Sequence, residues 1–184
     1  MHQSSQCTVR IVTPSLALLV VLSLSLVGCT APNGDTSQTS ASTTPDRNAQ
    51  GLVAHRSAYS VDSTTARLVR AVESNPNLSV MAEVDHAANA SRVNRSLPPT
   101  RVVIFGNPNL GTPLMQQQRT VAIDLPQKML VWEDSTGTVR VAYNAPDHLR
   151  ARHGISGRDD VLTTISGALE TLATGAAGGS PADE

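Results

Sequence analysis

The sequence predicts an α+β domain: an antiparallel sheet with helices packed on one face, a single domain behind an export signal and a disordered tether. Three patterns lead there. Residues 78–85 alternate apolar with polar, residues 101–105 form a continuous apolar run, and residues 128–143 read as a hairpin followed by one amphipathic helix. Strands joined by tight turns, with helices between and after them, are the signature of that class.

In chain order, a strand is expected over 58–61, leading to Asp62 and Ser63 as N-caps of a helix in which Leu68, Val69 and Val72 share one face. Asn75-Pro76-Asn77 stops this helix. In 78–85, Val80, Ala82 and Val84 lie on one side and Met81, Glu83 and Asp85 on the other, the period of a half-buried strand. A short Ala-rich helix follows near 86–93. Arg101-Val102-Val103-Ile104-Phe105 is expected near the middle of the sheet. It ends in Gly106-Asn107-Pro108, after which Thr112 as N-cap and Pro113 at the first helical position open a second helix. Asn75-Pro76-Asn77-Leu78 and Asn107-Pro108-Asn109-Leu110 are identical tetrapeptides, and both read as turns.

Residues 121–125 read as an extended connector. Residues 128–133 and 138–143 pair across Asp134-Ser135-Thr136-Gly137, where glycine can take positive φ, and Trp132 packs on this sheet. A helical turn is expected at 147–154. The last helix, 158–174, places Val161, Leu162, Ile165, Leu169 and Leu172 on one stripe and ends at Gly175.

The front of the chain reads as an address. His2 and Arg10 precede an apolar run over 11–27 that ends in Leu26-Val27-Gly28-Cys29. This run is shorter than the roughly 20 residues a membrane span needs, and small residues stand at the cleavage point, as in a signal peptide with a lipobox. Residues 1–28 are therefore expected to be removed and Cys29 lipidated, which places the protein as a membrane-anchored lipoprotein on the extracytoplasmic face. Cys7 leaves with the signal, so no disulfide is expected in the domain. Residues 29–56 are rich in Ser, Thr, Pro and Asn and read as a disordered tether with a reach of roughly 25–30 Å. The domain follows at 57–155, the C-terminal helix at 156–174 and a disordered tail at 175–184.

Composition removes several function classes. With 14 Lys+Arg against 15 Asp+Glu and a net charge of -1, the chain has no basic stripe for phosphates, so nucleic acid is not an expected partner. There is no Gly-x-Ser-x-Gly, no spare cysteine and no dinucleotide fingerprint. No cofactor, no metal and no catalytic residue set is assigned from these residues.

One constellation stands out. Asp85-His86 closes a strand, and Gly106-Asn107-Pro108-x-x-Gly111-Thr112 joins a strand to a helix start. Free N–H groups at a helix start suit a small anion, with His86 adding charge or a proton. The ligand-binding candidates are therefore Asp85, His86, Gly106, Asn107, Gly111 and Thr112. The plainer reading is that the glycines and Pro108 form a tight turn while Asp85 and His86 cap the next helix. Two alternatives stand beside the binding domain: an enzyme using Asp85 and His86 for acid-base chemistry, and a structural module that forms a homodimer.

Residues 59–153 also resemble the bacterial family called domain of unknown function 302. The resemblance rests on Val84-Asp85-His86-Ala87-Ala88-Asn89-Ala90, Leu97-Pro98-Pro99-Thr100, Ile104-Phe105-Gly106-Asn107-Pro108 with Gly111-Thr112-Pro113-Leu114-Met115, Asp124-Leu125-Pro126 and Tyr143-Asn144-Ala145-Pro146. It implies a sheet-and-helix fold like that of the TATA-binding-protein class, without DNA binding, and it brings no reaction. The leader, the tether and the final helix lie outside it.

Overall fold

The computed structural model describes residues 46–48 and 51–179. The expected signal peptide, Cys29, most of the expected tether and residues 180–184 lie outside the described residues.

Six strands, β1 (Asp46–Arg47), β2 (Leu52–Arg56), β3 (Ser79–Asp85), β4 (Thr100–Gly106), β5 (Gln127–Glu133) and β6 (Val139–Asn144), form one sheet in the order β1-β2-β6-β5-β4-β3. Every neighbouring pair is antiparallel. The helices are α1 (Val61–Glu73), α2 (His86–Arg92), α3 (Pro108–Gln117), α4 (Pro146–His153) and α5 (Asp159–Ala177). The α+β class read from the sequence is the class observed.

Register follows from which residues must be dry. Val53 and Met129 flank Tyr143, Val131 pairs with Val141, and Val103 pairs with Met129. Strand residues alternate faces, so this set lies on one side of the sheet, where it joins Leu68 and Val72 of α1 and Leu162, Leu169 and Leu172 of α5 in one core. Helices α1 and α5 also pack on each other.

The structure moves several expected boundaries. The first long strand is 52–56 rather than 58–61: in Leu-Val-Ala-His-Arg, Val53 and His55 are buried on the core face, so the tether ends earlier than residue 56. Ser60, not Asp62 or Ser63, caps α1, its hydroxyl accepting from the Ser63 N–H. The second Asn-Pro-Asn-Leu is a helix start: Asn107 caps α3, Pro108 occupies its first turn, and Pro113 lies inside it rather than at its beginning. Residues 119–123 form a 3-10 turn instead of an extended connector. Strand β4 is one strand in from the β3 edge, while β5 and β6 occupy the centre. The hairpin therefore presents no free edge for a dimer.

Helix α5 runs through Gly175 to end at Gly178, whose φ is +94°. The extra turn is held from α1: Arg67 donates from Nε to the Ala176 carbonyl at 3.2 Å and from Nη2 to the Gly175 carbonyl at 2.8 Å. The same guanidinium lies 4.5 Å from the centre of the Tyr59 ring. It thus supplies the cation that favours a helix C-terminus.

The hairpin turn is organised by Asp134. Its Oδ1 accepts from the Thr136 N–H, the Thr136 hydroxyl and the Thr138 N–H, and its Oδ2 accepts from Arg140 Nε at 2.7 Å. The Arg140 bond, then that from the Thr136 hydroxyl, holds this carboxyl well below its ordinary value of 3.8. A depressed carboxyl contributes stability that is present above its unfolded pKa and lost as pH falls through the folded one. Between about pH 5 and pH 2 the melting temperature is expected to fall less steeply in Asp134→Asn than in the parent; parallel curves would refute the assignment.

Candidate functional site

The residues singled out in the sequence separate into two places. Asp85 pairs with Arg101 at one end of β4, and Ser79 pairs with Gly106 at the other. Five residue steps of strand, roughly 16 Å, divide them. His86 and the Gly106–Thr112 loop therefore do not form one site.

At the first end, Asp85 acts as the N-cap of α2, its Oδ1 accepting from the Ala88 N–H at 2.8 Å. Its Oδ2 lies 3.3 Å from Arg101 Nη2. Arg101 also reaches Asp62 at 3.0 Å and Glu83 at 3.1 Å, so one guanidinium gathers three carboxylates. Both Asp85 oxygens are engaged, and His86 is exposed. Among the described residues no group of three or more His, Cys, Asp or Glu is arranged to hold a metal ion.

At the second end, Gly106 closes β4 against Pro126: a Cβ there would lie 3.3 Å from the Pro126 Cβ. Asn107 then turns the chain into α3. Its Oδ1 accepts from the Asn109 N–H at 2.9 Å, and its carbonyl accepts from the N–H groups of Leu110 and Gly111. Pro108 has no N–H. The donors expected to bind an anion are thus already bonded within the turn.

The turn instead borders a cleft of about 260 Å³. Its walls are Leu78 just before β3 and Met81 within it, Phe105 at the end of β4, Leu110, Gly111 and Met115 of α3, Leu125 and Pro126 before β5, and Ile165, Ala168, Leu169 and Leu172 of α5. The α5 wall is one stripe at helical spacing. Polar lining comes from Asn107, Thr112 and Gln127. Gln127 is 9% exposed, and its Nε2 has no hydrogen-bond partner among the described residues. Of the predicted ligand residues, Gly106, Asn107, Gly111 and Thr112 line this cleft, and Asp85 and His86 do not.

Gln127 carries a signal in the sequence that motif reading passes over. It shares the inward period of Met129 and Val131, where a polar residue breaks the apolar pattern. Two further clusters had no local signal. The Tyr143 hydroxyl donates to Glu170 Oε2 at 2.8 Å, and His55 Nε2 lies 3.2 Å from the same oxygen at an angle outside hydrogen-bond geometry. Burial, then the Glu170 bond, pushes the Tyr143 hydroxyl above its ordinary range. His153, buried, bonds Asp124 through Nε2 at 2.6 Å and Thr120 through Nδ1 at 3.1 Å, tying α4 to the 3-10 turn.

A single α+β domain with an apolar cleft between the end of its sheet, α3 and α5 is the class of protein that the fold and this geometry define. Within that class, the family model for the domain of unknown function DUF302 matches residues 53–172, and the chain belongs to this family. The match takes in most of α5, which the sequence resemblance left outside. Curated relatives include "Fluoride-specific ion channel FluC 1" of Brucella suis biovar 1, 41% identical over 129 residues, 68% of this chain and 50% of that protein. "Fluoride-specific ion channel FluC 2" of Brucella melitensis biotype 1 is likewise 41% identical over 129 residues, covering 68% of this chain and 47% of that protein. The chain spans about half the length of these relatives. Among solved structures, an uncharacterized conserved DUF302 protein from Bacillus stearothermophilus superposes with a TM-score of 0.60 at 14% identity, covering 67% of this chain and 95% of that one. At that identity the likeness establishes the fold.

Proposed function

We propose that this chain is a membrane-tethered, extracytoplasmic accessory domain that binds a small ligand in the cleft between the Gly106–Thr112 turn and α5. The observation that supports the reading is the cleft itself, about 260 Å³ with largely apolar walls. Concave apolar sites with few polar groups are where small molecules bind. The lipobox ending in Cys29 supports the tether. Two or three acyl chains hold a protein on a membrane where one does not.

The curated relatives favour a second element of this reading. Their names describe a channel, and a channel needs membrane-spanning segments. Among the described residues no helix is long and apolar enough to cross a membrane. The channel activity is therefore not transferred to this chain; an accessory role beside a membrane transport protein is the part that fits a domain matching half of each relative.

Ala168→Phe tests the cleft, because its ring would enter from the α5 wall. Ligands that raise the melting temperature of the full-length parent are expected to lose at least tenfold in affinity in this variant. Equal affinity in both proteins would place binding elsewhere. Cys29→Ala tests the tether: fatty-acid labelling should vanish and the protein should leave the membrane fraction or persist as precursor, whereas unlabelled parent protein recovered from the cytosol would sink the anchoring.

A further inference from the structure

We infer that Thr120, His153 and Asp124 form a second site, in which the Thr120 hydroxyl is a nucleophile that accepts small acyl groups from activated esters. None of the three lines the cleft, so this site stands apart from the binding reading above.

Two elements bring the residues together. Thr120 lies in the 3-10 turn 119–123, Asp124 closes that turn, and His153 is the last residue of α4, where Gly154 at φ +64° ends the helix. The His153 side chain is 5% exposed and that of Asp124 11%, whereas Thr120 is exposed. Asp124 Oδ2 lies 2.6 Å from His153 Nε2, and Arg152 Nη1 holds the other carboxylate oxygen at 3.2 Å. A carboxylate oxygen only accepts, so in the neutral imidazole Nε2 carries the ring proton. The lone pair of Nδ1 is left for the Thr120 hydroxyl, which donates to it across 3.1 Å. The Asp124 bond by itself ties α4 to the turn; the Thr120 bond adds a base to a hydroxyl at the surface. Nucleophile, base and orienting carboxylate thus stand in sequence within hydrogen-bond reach, the arrangement that activates a weak nucleophile.

In the transfer, Thr120 Oγ1 bonds to the carbonyl carbon of the ester while its proton passes to His153 Nδ1. The bond from that carbon to the leaving oxygen then breaks, and this oxygen takes the proton from Nδ1, so the alcohol departs neutral. The proton does not pass to Asp124, which is a positioning residue: it keeps Nδ1 turned to the hydroxyl and stabilises the imidazolium formed in between. Because Thr120 stands outside the cleft, the donor is small and reacts by virtue of a good leaving group.

The full-length chain treated with 4-nitrophenyl N,N-dimethylcarbamate tests this, since a carbamoyl ester hydrolyses slowly and accumulates for mapping by mass spectrometry. Thr163, exposed on α5, is the reference hydroxyl, and Thr65, buried in α1, stays unlabelled while the protein is folded. Thr120 is expected to react roughly a hundredfold faster than Thr163, the low end of what a positioned base contributes. Thr120→Ser should keep that rate within about tenfold. Asp124→Asn and His153→Gln should slow labelling of Thr120 by at least about tenfold and leave Thr163 unchanged. Labelling of Thr65 in either variant would report its unfolding, and the comparison of Thr120 with Thr163 in the parent then decides. Thr120 reacting no faster than Thr163 in the parent overturns the proposal. Fast labelling that persists in folded Asp124→Asn and His153→Gln overturns it as well, because the hydroxyl would then owe nothing to the histidine.

Discussion

Leu169→Ala is expected to cost roughly 2–5 kcal/mol of folding free energy, the range for removing a fully buried leucine. Leu169 is 1% exposed and sits in the shared core of sheet, α1 and α5. A domain of this size is held by roughly 5–15 kcal/mol in total, so this one side chain represents a large share. Denaturant unfolding should show a lower midpoint with an unchanged slope. Thr163→Ala, on the exposed side of the same helix, should stay within about 0.5 kcal/mol of the parent. If Leu169→Ala costs less than about 1 kcal/mol, α5 is an appendage and the core does not include it. That result would contradict the packing of α5 on α1 and its bonds to Arg67.

Much of this architecture is legible from local pattern because local pattern is what creates it. The alternation in β3, the apolar run in β4 and the hairpin turn at Asp134 each declare themselves within a few residues. Boundaries depend on more distant partners. Gly175 reads as a stop, yet α5 continues because Arg67, more than a hundred residues earlier, bonds its last carbonyls. Leu52–Arg56 follows a polar sequence and is a strand because β6 is there to pair with it. The site was half legible for the same reason. The Gly106–Thr112 turn borders a cleft, as its glycines suggest, but α5 supplies the opposite wall and no spacing rule connects residue 111 to residue 169. His86 offers a charge or proton to the turn only if the two strand ends meet, and β4 separates it from the turn by its full length. The anion expectation counted helix-start donors as free, and Asn107 had already taken them.

Gln127→Leu is expected to stabilise the protein by roughly 1–3 kcal/mol, the cost of a buried donor left unpaired. Most core substitutions do the opposite, so the sign alone is informative. Leucine is close to glutamine in size and meets the apolar neighbours that Met129 and Val131 already have on this face. A higher urea midpoint in Gln127→Leu would mean that the parent sequence retains a destabilising group at a position where an apolar residue fits better. Positions that break their local rule in this way tend to be functional. A lower midpoint would mean that the amide serves the fold.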